Sequence, residues 1–340
     1  MASSYLHTIH LNSVQISKPS SCLPPHSNNQ FTSIPFPNPQ YLYKHYHISC
    51  IPTSPTVPLK ATSTSIHSSL SSPNPPISKE EAILQAKTSL LTTLEKPLNN
   101  PKPLGKLKKL RQPKFRVEIP VIDDSQDSLS QLALDIFGDI PIKRKGSPIK
   151  ILILWPYPSL REAATVAFQS LSTSQVEHFD IPSVAKTDPR ILNSADVAIF
   201  LVPESSQLAL MKTVSDAFYP KPVVMFNPKW AFEEESNFGL SGFVGSFEVV
   251  YSFMGLEVRG IFNKRKGVIF KCVRDGVVSG ERWNVLVEEG EELKVVSSFK
   301  ARPTIGEVES VLYNLMAINS PITKSAKFIR GLVSNVTGKK

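Results

Sequence analysis

Histidine and cysteine are almost absent from most of this 340-residue chain. Beyond residue 75 the only histidine is His178 and the only cysteine is Cys272. A zinc site built on these residue types needs about three or four clustered ligands, and a disulfide within the chain needs two cysteines. The sequence therefore excludes a zinc finger and a disulfide-stapled domain in this part. We expect Cys272 to be buried in a strand, and His178 to be a packed or surface residue rather than a catalytic base.

Glycine-rich phosphate-binding loops and long apolar runs are also missing. Neither G-x-G-x-x-G nor G-x-x-x-x-G-K-[ST] occurs anywhere in the sequence. Such loops depend on glycine to bring backbone N–H groups close to a phosphate. The longest strongly apolar run, Val197 to Val202, falls far short of the roughly 20 residues needed to span a bilayer. We predict no transmembrane segment, no cofactor and no enzymatic activity.

Acidic residues are absent from the first 75 positions, which contain three lysines, no arginine, six histidines and many Ser, Thr, Pro and Asn. This composition predicts a chloroplast transit peptide over residues 1–62, with cleavage between 50 and 72, and a disordered linker over 63–77. The alternative is a disordered tail with no targeting role. Import would place the mature protein in the stroma, with contact at the thylakoid surface.

The positive charge of the mature part lies in its flanks. Residues 151–320 carry 16 basic and 20 acidic side chains, whereas the segment 102–114 and the residues after Pro321 are rich in lysine and arginine. The loop from Asn99 to Lys114, which contains this basic segment, is interpreted as a solvated connector, with a binding patch as the alternative. Nucleic-acid binding by these flanks would weaken steeply with salt. We do not expect a nucleic-acid partner.

Five short apolar runs are each followed at once by proline, and they predict the fold. Because proline cannot donate to a ladder, it marks a hard stop for a strand. Several of the runs lead into helical patterns, which favours β-α units on a largely parallel, Rossmann-like sheet with flanking helices. The predicted strands are Phe115 to Ile119, Ile149 to Trp155, Val176 to Ile181, Asp196 to Val202 and Val223 to Asn227.

After Trp230 the pattern changes to strands alone. Phe247 to Phe253, Leu256 to Phe262 and Val268 to Val273 predict an antiparallel meander, with turns at Met254-Gly255 and from Asn263 to Gly267. A hairpin, Trp283 to Val287 with Leu293 to Phe299, and a helix after Thr304 complete the α/β class. The predicted domain covers residues 78–320, with β-α units over 78–230 and the meander and helix over 231–320.

The carboxyl edge of the parallel sheet is the candidate ligand site, because ligands of such sheets bind where the strands end. The candidate polar contacts are Tyr157, Glu204 and Lys229, which follow three of the predicted strands, and Asn227, which ends one of them. The prolines at the same edge offer no N–H groups for a phosphate. Ligand binding there is therefore the alternative to a protein-binding role.

Two basic segments are candidate contacts for a partner or a membrane. Lys143, Arg144 and Lys145 form a basic turn. The tail over residues 321–340 has no acidic residue and carries apolar residues at helical spacing, so we predict a basic amphipathic helix or a frayed end. Its candidate contact residues are Lys324, Lys327 and Arg330.

Several short segments resemble a domain of unknown function found in chloroplast and cyanobacterial proteins, a family that includes the plant Low PSII Accumulation proteins. The resemblance spans about residues 78–318. The segments that carry it are a helix with Glu-Ala-x-x-x-Ala, then Val117 to Pro120, Phe226 to Pro228, Val250 to Phe253, Gly267 to Phe270, Trp283 to Val285 and Arg302-Pro303.

The resemblance implies a chaperone-like factor of the stroma or thylakoid surface that assists photosystem II assembly. Its implied partners are photosystem II core subunits and other assembly factors. A related domain appended to a chloroplast adenylate kinase implies the alternative, which is a regulatory module or enzyme that binds a nucleotide or small ligand.

Overall fold

The computed structural model describes residues 47–49, 74–99, 103–104, 109–110, 112–120, 123–169, 175–184, 186, 189–259, 264–290 and 292–318. The predicted leader and linker fall almost entirely outside these ranges. The predicted tail, with Lys324, Lys327 and Arg330, lies wholly outside them. No helix within the described ranges is long and apolar enough to cross a bilayer.

One ten-stranded sheet organises the described chain, and its larger part is parallel. The parallel strands are β1 (Lys114–Glu118), β2 (Ile151–Trp155), β3 (Val176–Asp180), β4 (Val197–Leu201), β5 (Val223–Phe226) and β6 (Glu248–Arg259). The antiparallel strands are β7 (Lys264–Cys272), β8 (Trp283–Glu289) and β9 (Glu292–Phe299). Their order is β9-β8-β7-β6-β1-β5-β4-β2-β3, and a short strand, His47–Ser49, pairs with the end of β6. The predicted fold class is confirmed.

Three helices pack on the first face of the sheet: α1 (Lys79–Asn99), α2 (Gln126–Phe137) and α3 (Pro158–Phe168). Leu90, Leu129 and Leu160 from these helices pack against strand residues such as Val117 and Ile153 in one apolar cluster. Each fully buried leucine of this kind contributes roughly 1.5–3 kcal/mol relative to an exposed one. The helical spacing of apolar residues in α1 to α3 therefore accounts for this layer.

The second face is covered by one group of short helices over the parallel strands and by a single helix over the antiparallel strands. The group comprises α4 (Ile181–Val184), α5 (Pro189–Ser194), α6 (Leu208–Ala217), α7 (Ser241–Val244) and the 3₁₀ helix Phe232–Asn237. These elements cover the parallel strands, and α8 (Ile305–Ile318) covers the antiparallel strands. Because both faces are covered, β2 and β4 are buried along their whole length.

The predicted turn at Met254-Gly255 is wrong. These two residues continue β6 and pair with Ile269 and Val268 of β7 in an unbroken ladder. On its other edge β6 pairs in parallel with β1, so it is also a sixth parallel strand. The ladder with β7 holds Met254 and Gly255 in an extended strand, and the pairing of β6 with β1 at Glu248 to Ser252 joins the meander directly to the parallel sheet.

Gly267, predicted to end a turn, instead lies within β7. A Cβ atom at this position would lie 2.4 Å from the carbonyl oxygen of Leu286 in β8. Glycine is therefore required here by the close approach of the neighbouring backbone, not by a turn.

Four parallel strands end one residue earlier than predicted: β1 at Glu118, β3 at Asp180, β4 at Leu201 and β5 at Phe226. β4 stops at Leu201 and β5 at Phe226, because Val202 and Asn227 turn away with φ of +44° and +47°. These residues occupy equivalent places, each between the end of its strand and a proline. Left-handed geometry is common for asparagine but rare for a β-branched residue such as Val202.

Candidate functional site

The carboxyl edge of the sheet brings together the ends of four adjacent strands: β1, β5, β4 and β2. Each strand is followed within two residues by proline, namely Pro120, Pro228, Pro203 and Pro156. The helices after β1 and β2 lie on the first face, and the helices after β5 and β4 lie on the second. Two crevices result, between β1 and β5 and between β4 and β2, and such crevices are the usual ligand sites of open α/β sheets.

The β4/β2 crevice contains two of the four predicted residues. The Tyr157 hydroxyl is hydrogen-bonded to the Glu204 carboxylate, which raises the pKa of Tyr157 to about 12. Gln207 spans the same crevice, donating from Nε2 to the Pro156 carbonyl at 2.8 Å and accepting from the Glu204 N–H at 3.2 Å. The loops after β4 and β2 are thus joined by side chains of the protein itself.

The β1/β5 crevice is bridged by Asn227, another predicted residue. Its Oδ1 accepts from the Ile119 N–H at 2.8 Å, and its own N–H donates to the Val117 carbonyl at 2.9 Å. The positive φ of Asn227 aims its side chain back across the strand end. Its Nδ2 is buried and has no partner among the described residues, so one donor remains in this crevice.

Lys229, the fourth predicted residue, connects the two crevices. Its backbone N–H donates to the Pro203 carbonyl at 2.9 Å, and its Nζ lies 3.6 Å from a carboxylate oxygen of Asp124. Asp124 is largely exposed, so this ion pair is screened by water. The structure therefore places all four predicted residues at one edge, with Tyr157 and Glu204 in direct contact.

The basic turn lies at the opposite, amino edge, just before β2. Lys143 and Lys145 are exposed, whereas Arg144 donates from Nη1 to Asp196 at 2.5 Å. Asp196 also accepts from the Lys150 N–H at 2.9 Å, so Arg144 helps to fix the start of β2. Lys143 and Lys145 are therefore presented to solvent without a described partner contact in the turn, and the paired Arg144 side chain is still 41% exposed.

His178 is packed between aromatic rings. Its Nδ1 accepts from Trp155 Nε1 at 3.1 Å, and its ring centroid lies 4.5 Å from that of Phe168. Burial lowers the pKa of His178 to about 4, so the imidazole is neutral near pH 7. Cys272 is likewise buried, 3.4 Å from the hydroxyl of Ser89.

A buried charged cluster, formed by Arg116, Glu118, Glu235 and Arg302, was not predicted. Arg116 Nη1 bonds Glu235 Oε1, and Arg116 Nε lies 2.6 Å from Glu118 Oε1 without the alignment of a hydrogen bond. Arg302 Nη1 donates to Glu118 Oε1 at 2.8 Å. The cluster joins β1 to the 3₁₀ helix after β5 and to the loop before α8.

Neutral groups complete the charged cluster. Ser252 of β6 donates to Glu118 Oε2 at 2.7 Å, and Trp230 Nε1 donates to Glu235 Oε1 at 3.0 Å. Burial alone would raise the pKa of Glu118, but Arg116 and Arg302 outweigh it and lower that pKa to about 2. Arg116, Glu118 and Glu235 are thus buried as mutually paired groups, as burial of ions requires, and Arg302, with its side chain 13% exposed, supplies the second positive charge.

The sequence did contain a signal for this cluster. Phe115 to Ile119 alternates apolar and charged residues, so a strand covered on both faces must bury Arg116 and Glu118. Four of the segments that carry the family resemblance also meet here. They contribute Glu118, Ser252, Trp283 and Arg302.

Together the fold and its edge define a class, an α/β protein with a Rossmann-like, mostly parallel sheet extended by an antiparallel meander. Among the described residues, no group of His, Cys, Asp or Glu side chains is arranged to hold a metal ion. The chain belongs to the family described as Domain of unknown function (DUF1995), whose profile matches residues 76–310. No curated protein matches the chain.

Solved structures resemble the chain only weakly. A KaiC-like protein from the archaeon Pyrococcus horikoshii is 10% identical, with a TM-score of 0.29 over 54% of this chain and 88% of that one. The flagellar accessory protein FlaH from Methanocaldococcus jannaschii is 11% identical, with a TM-score of 0.27 over 53% of this chain and 92% of that one. Scores this low do not establish a shared fold.

Proposed function

We propose that the protein is a non-enzymatic, chaperone-like factor of the chloroplast that assists photosystem II biogenesis by binding other proteins. Membership of the DUF1995 family over residues 76–310 supports the assignment of the domain. The resemblance of its short segments to the plant Low PSII Accumulation proteins, above all to the third of that name, supplies the process. The acid-free first 75 residues support import into the organelle.

The observation that carries the proposal is that side chains of the protein itself bridge both crevices. Gln207 bridges the β4/β2 crevice to Pro156, and Asn227 bridges the β1/β5 crevice to Ile119. A nucleotide site at this edge would need backbone N–H groups and room for a phosphate. Since the protein's own amides and prolines fill these positions, the edge is better suited to a rigid scaffold than to catalysis.

Depletion of the protein in the plant that encodes it tests the role directly. We expect less assembled photosystem II, while the core subunits are still synthesised at their normal rate. Pulse labelling of thylakoid proteins followed by native gel electrophoresis separates synthesis from assembly. Normal accumulation and normal assembly in the depleted plant would rule out this function.

The exposed lysines of the basic turn are the proposed partner contact. Replacing Lys143 and Lys145 with glutamate should impair rescue of the depleted plant and reduce recovery of co-purifying photosystem II core subunits. Lys186 and Lys300 are also exposed and lie in other parts of the fold. The matched variant with glutamate at those two positions should rescue fully, and equal rescue by both variants would remove this contact.

The tail over residues 321–340 is proposed to attach the protein to the thylakoid surface, because it carries five basic residues and no acidic one. Deleting it should move the protein from the membrane fraction to the stroma without lowering the unfolding temperature. Unchanged fractionation would contradict this attachment.

A second candidate function is the binding of a nucleotide or small ligand at the carboxyl edge. It is favoured by the unpartnered Asn227 Nδ2 and by the Lys229 ammonium group, which can release the exposed Asp124. Calorimetric titration with adenine nucleotides tests it. A micromolar dissociation constant that is lost in Lys229→Met would favour this function over the first, and absence of heat would remove it.

A further inference from the structure

A cleft on the second face of the sheet is used by neither function above. It lies between the 3₁₀ helix Phe232–Asn237, the strands β6 and β7 and the start of α8. Two charged side chains, Arg302 and Glu233, line this cleft. Its apolar wall includes Met254, Leu256, Ile269, Ile305 and Val308.

Arg302 is held in place before any ligand arrives. Its Nη1 donates to Glu118 at 2.8 Å, and its guanidinium carbon lies 4.1 Å from the ring centroid of Phe232 and 5.2 Å from that of Trp283. A guanidinium group has five N–H donors, and the contacts with described residues use one of them. A fixed arginine with donors to spare is a preorganised partner for a carboxylate.

Glu233 gives the cleft a hydrogen-bond acceptor beside the donors of Arg302. It is exposed on the 3₁₀ helix, and its carboxylate only accepts hydrogen bonds. The cleft therefore offers donors from Arg302, an acceptor from Glu233 and an apolar wall between strands and helix. A simple fatty acid has no donor for Glu233 and would meet its negative charge.

The carboxyl-terminal residue of a polypeptide matches all three features. It carries one carboxylate, a backbone N–H and a side chain that can be apolar. Capture of a chain terminus by fixed polar groups is a recurrent mode of peptide recognition. A strongly acidic segment fits less well, because Glu233 would repel its additional carboxylates.

We propose that this cleft binds the carboxyl-terminal residue of a partner polypeptide, with its carboxylate on Arg302 and an apolar side chain against Leu256, Ile269 and Val308. The inference rests on the proposed protein-binding function and names one contact through which that function acts. A Met254 side chain beside the apolar wall lets the cleft adapt to leucine, valine or phenylalanine as the last residue.

Calorimetric titration of the full-length protein tests the proposal with three probes. They are the peptide acetyl-Gly-Ser-Gly-Ser-Leu with a free carboxylate, the same peptide with a terminal amide, and N-acetylleucine. We expect the free acid to bind about tenfold or more tightly than the amide, because only the acid pairs with arginine. Equal affinity for acid and amide, or no binding of the acid, overturns the proposal.

Two variants locate the site. Arg302→Gln should weaken binding of the free acid about tenfold or more, but it also removes a partner of the buried Glu118. Met254→Phe fills the half-buried mouth of the cleft without touching a charge and should also abolish binding. The matched control is Val166→Phe on α3, at a side chain that is 65% exposed on the other face. Binding that survives Met254→Phe at an unchanged unfolding temperature overturns the site.

The remaining outcomes separate this inference from the proposed function. If N-acetylleucine binds as tightly as the peptide, the occupant is a small acid and the polypeptide is excluded. If photosystem II assembly fails on depletion but Met254→Phe rescues it fully, the cleft is not the contact and the function stands. If depletion has no effect although the peptide binds, the function is wrong and the site remains.

Discussion

At the carboxyl edge of the sheet, neutral amide side chains bridge neighbouring strands, whereas in the interior, where β1 borders β6, four charged side chains meet. Gln207 and Asn227 bridge the edge through bonds to backbone groups of Pro156 and Ile119. In the charged cluster, by contrast, Glu118 is held by two arginines and a serine hydroxyl.

The difference shows where this fold is sensitive to change. A neutral bridge at the edge contributes about 0.5–1.5 kcal/mol, and water can replace much of what is lost. A buried charge that loses its partner is left desolvated and unpaired, which costs several kcal/mol. Substitutions in the charged cluster should therefore be far more damaging than substitutions at the edge.

The largest effect is expected for Glu118→Gln. The change leaves two positive charges, Arg116 and Arg302, and a single negative charge, Glu235, in the cluster. We expect a loss of about 3–5 kcal/mol in the free energy of unfolding. Urea denaturation measures it. Adding Arg302→Gln should restore part of the loss, since the two charges are removed together. A loss below about 1 kcal/mol would show that the cluster is not the sensitive region.

The next effect concerns pH. The pKa of His178 in the folded protein is about 4, below its ordinary value of 6.5, so the neutral form stabilises the fold. This contribution is complete above pH 6.5 and is lost as the pH falls towards 4. Asparagine does not titrate in this range. Between pH 6.5 and 4 the free energy of unfolding should therefore fall by up to about 3 kcal/mol more in the natural protein than in His178→Asn. Identical pH profiles would contradict the assignment.

A smaller effect is expected at the β1/β5 crevice. Asn227→Ala removes the acceptor for the Ile119 N–H and places alanine at a positive φ, so we expect a loss of about 1–3 kcal/mol. Asn227→Gly removes the same acceptor without the backbone strain. The glycine variant should be the more stable of the two in urea, and the opposite order would show that the backbone is not strained here.

The smallest effect is expected for Tyr157→Phe. Tyr157 is 43% exposed, so the loss of its bond to Glu204 should cost less than about 1 kcal/mol. Tyr313 is 43% exposed as well, and Tyr313→Phe is the matched control for removing a hydroxyl from the surface. If Tyr157→Phe were as damaging as Glu118→Gln, the contrast between edge and interior would fail.

The parallel part of the fold was predictable because its signals are local. Apolar runs stopped by proline predicted every parallel strand up to β5, and the helical patterns that follow several of these runs predicted helices between the strands. The role of β6 was not predictable, because Met254-Gly255 has the composition of a turn. Only the long-range ladder with β7 makes those residues extended, and the pairing of β6 with β1 begins earlier in the same strand.

The position of the candidate site was predictable because alternating strands and helices predict a parallel sheet, and the carboxyl ends of parallel strands lie at one edge. This placed Tyr157, Glu204, Asn227 and Lys229 in one region. The charged cluster was predictable only in part: the alternation in β1 indicates that Arg116 and Glu118 are buried, but their partners come from distant segments. Glu235 stands in a run of three glutamates, and only this one of the three is buried. Nothing local distinguishes it, since the contact with Arg116 depends on how the 3₁₀ helix docks.

The central position of β1 affects the order in which the chain can fold. Its two neighbours, β5 and β6, come roughly 100 and 130 residues later, so β1 gains neither until most of the chain is available. A chain delivered from its amino end would present both edges of β1 until β5 is complete at residue 226, and one edge until residues 248–252 of β6 arrive. It would require protection from aggregation in that interval. Chains truncated before β6 should therefore be digested rapidly by protease, and resistance should appear only when β6 is included.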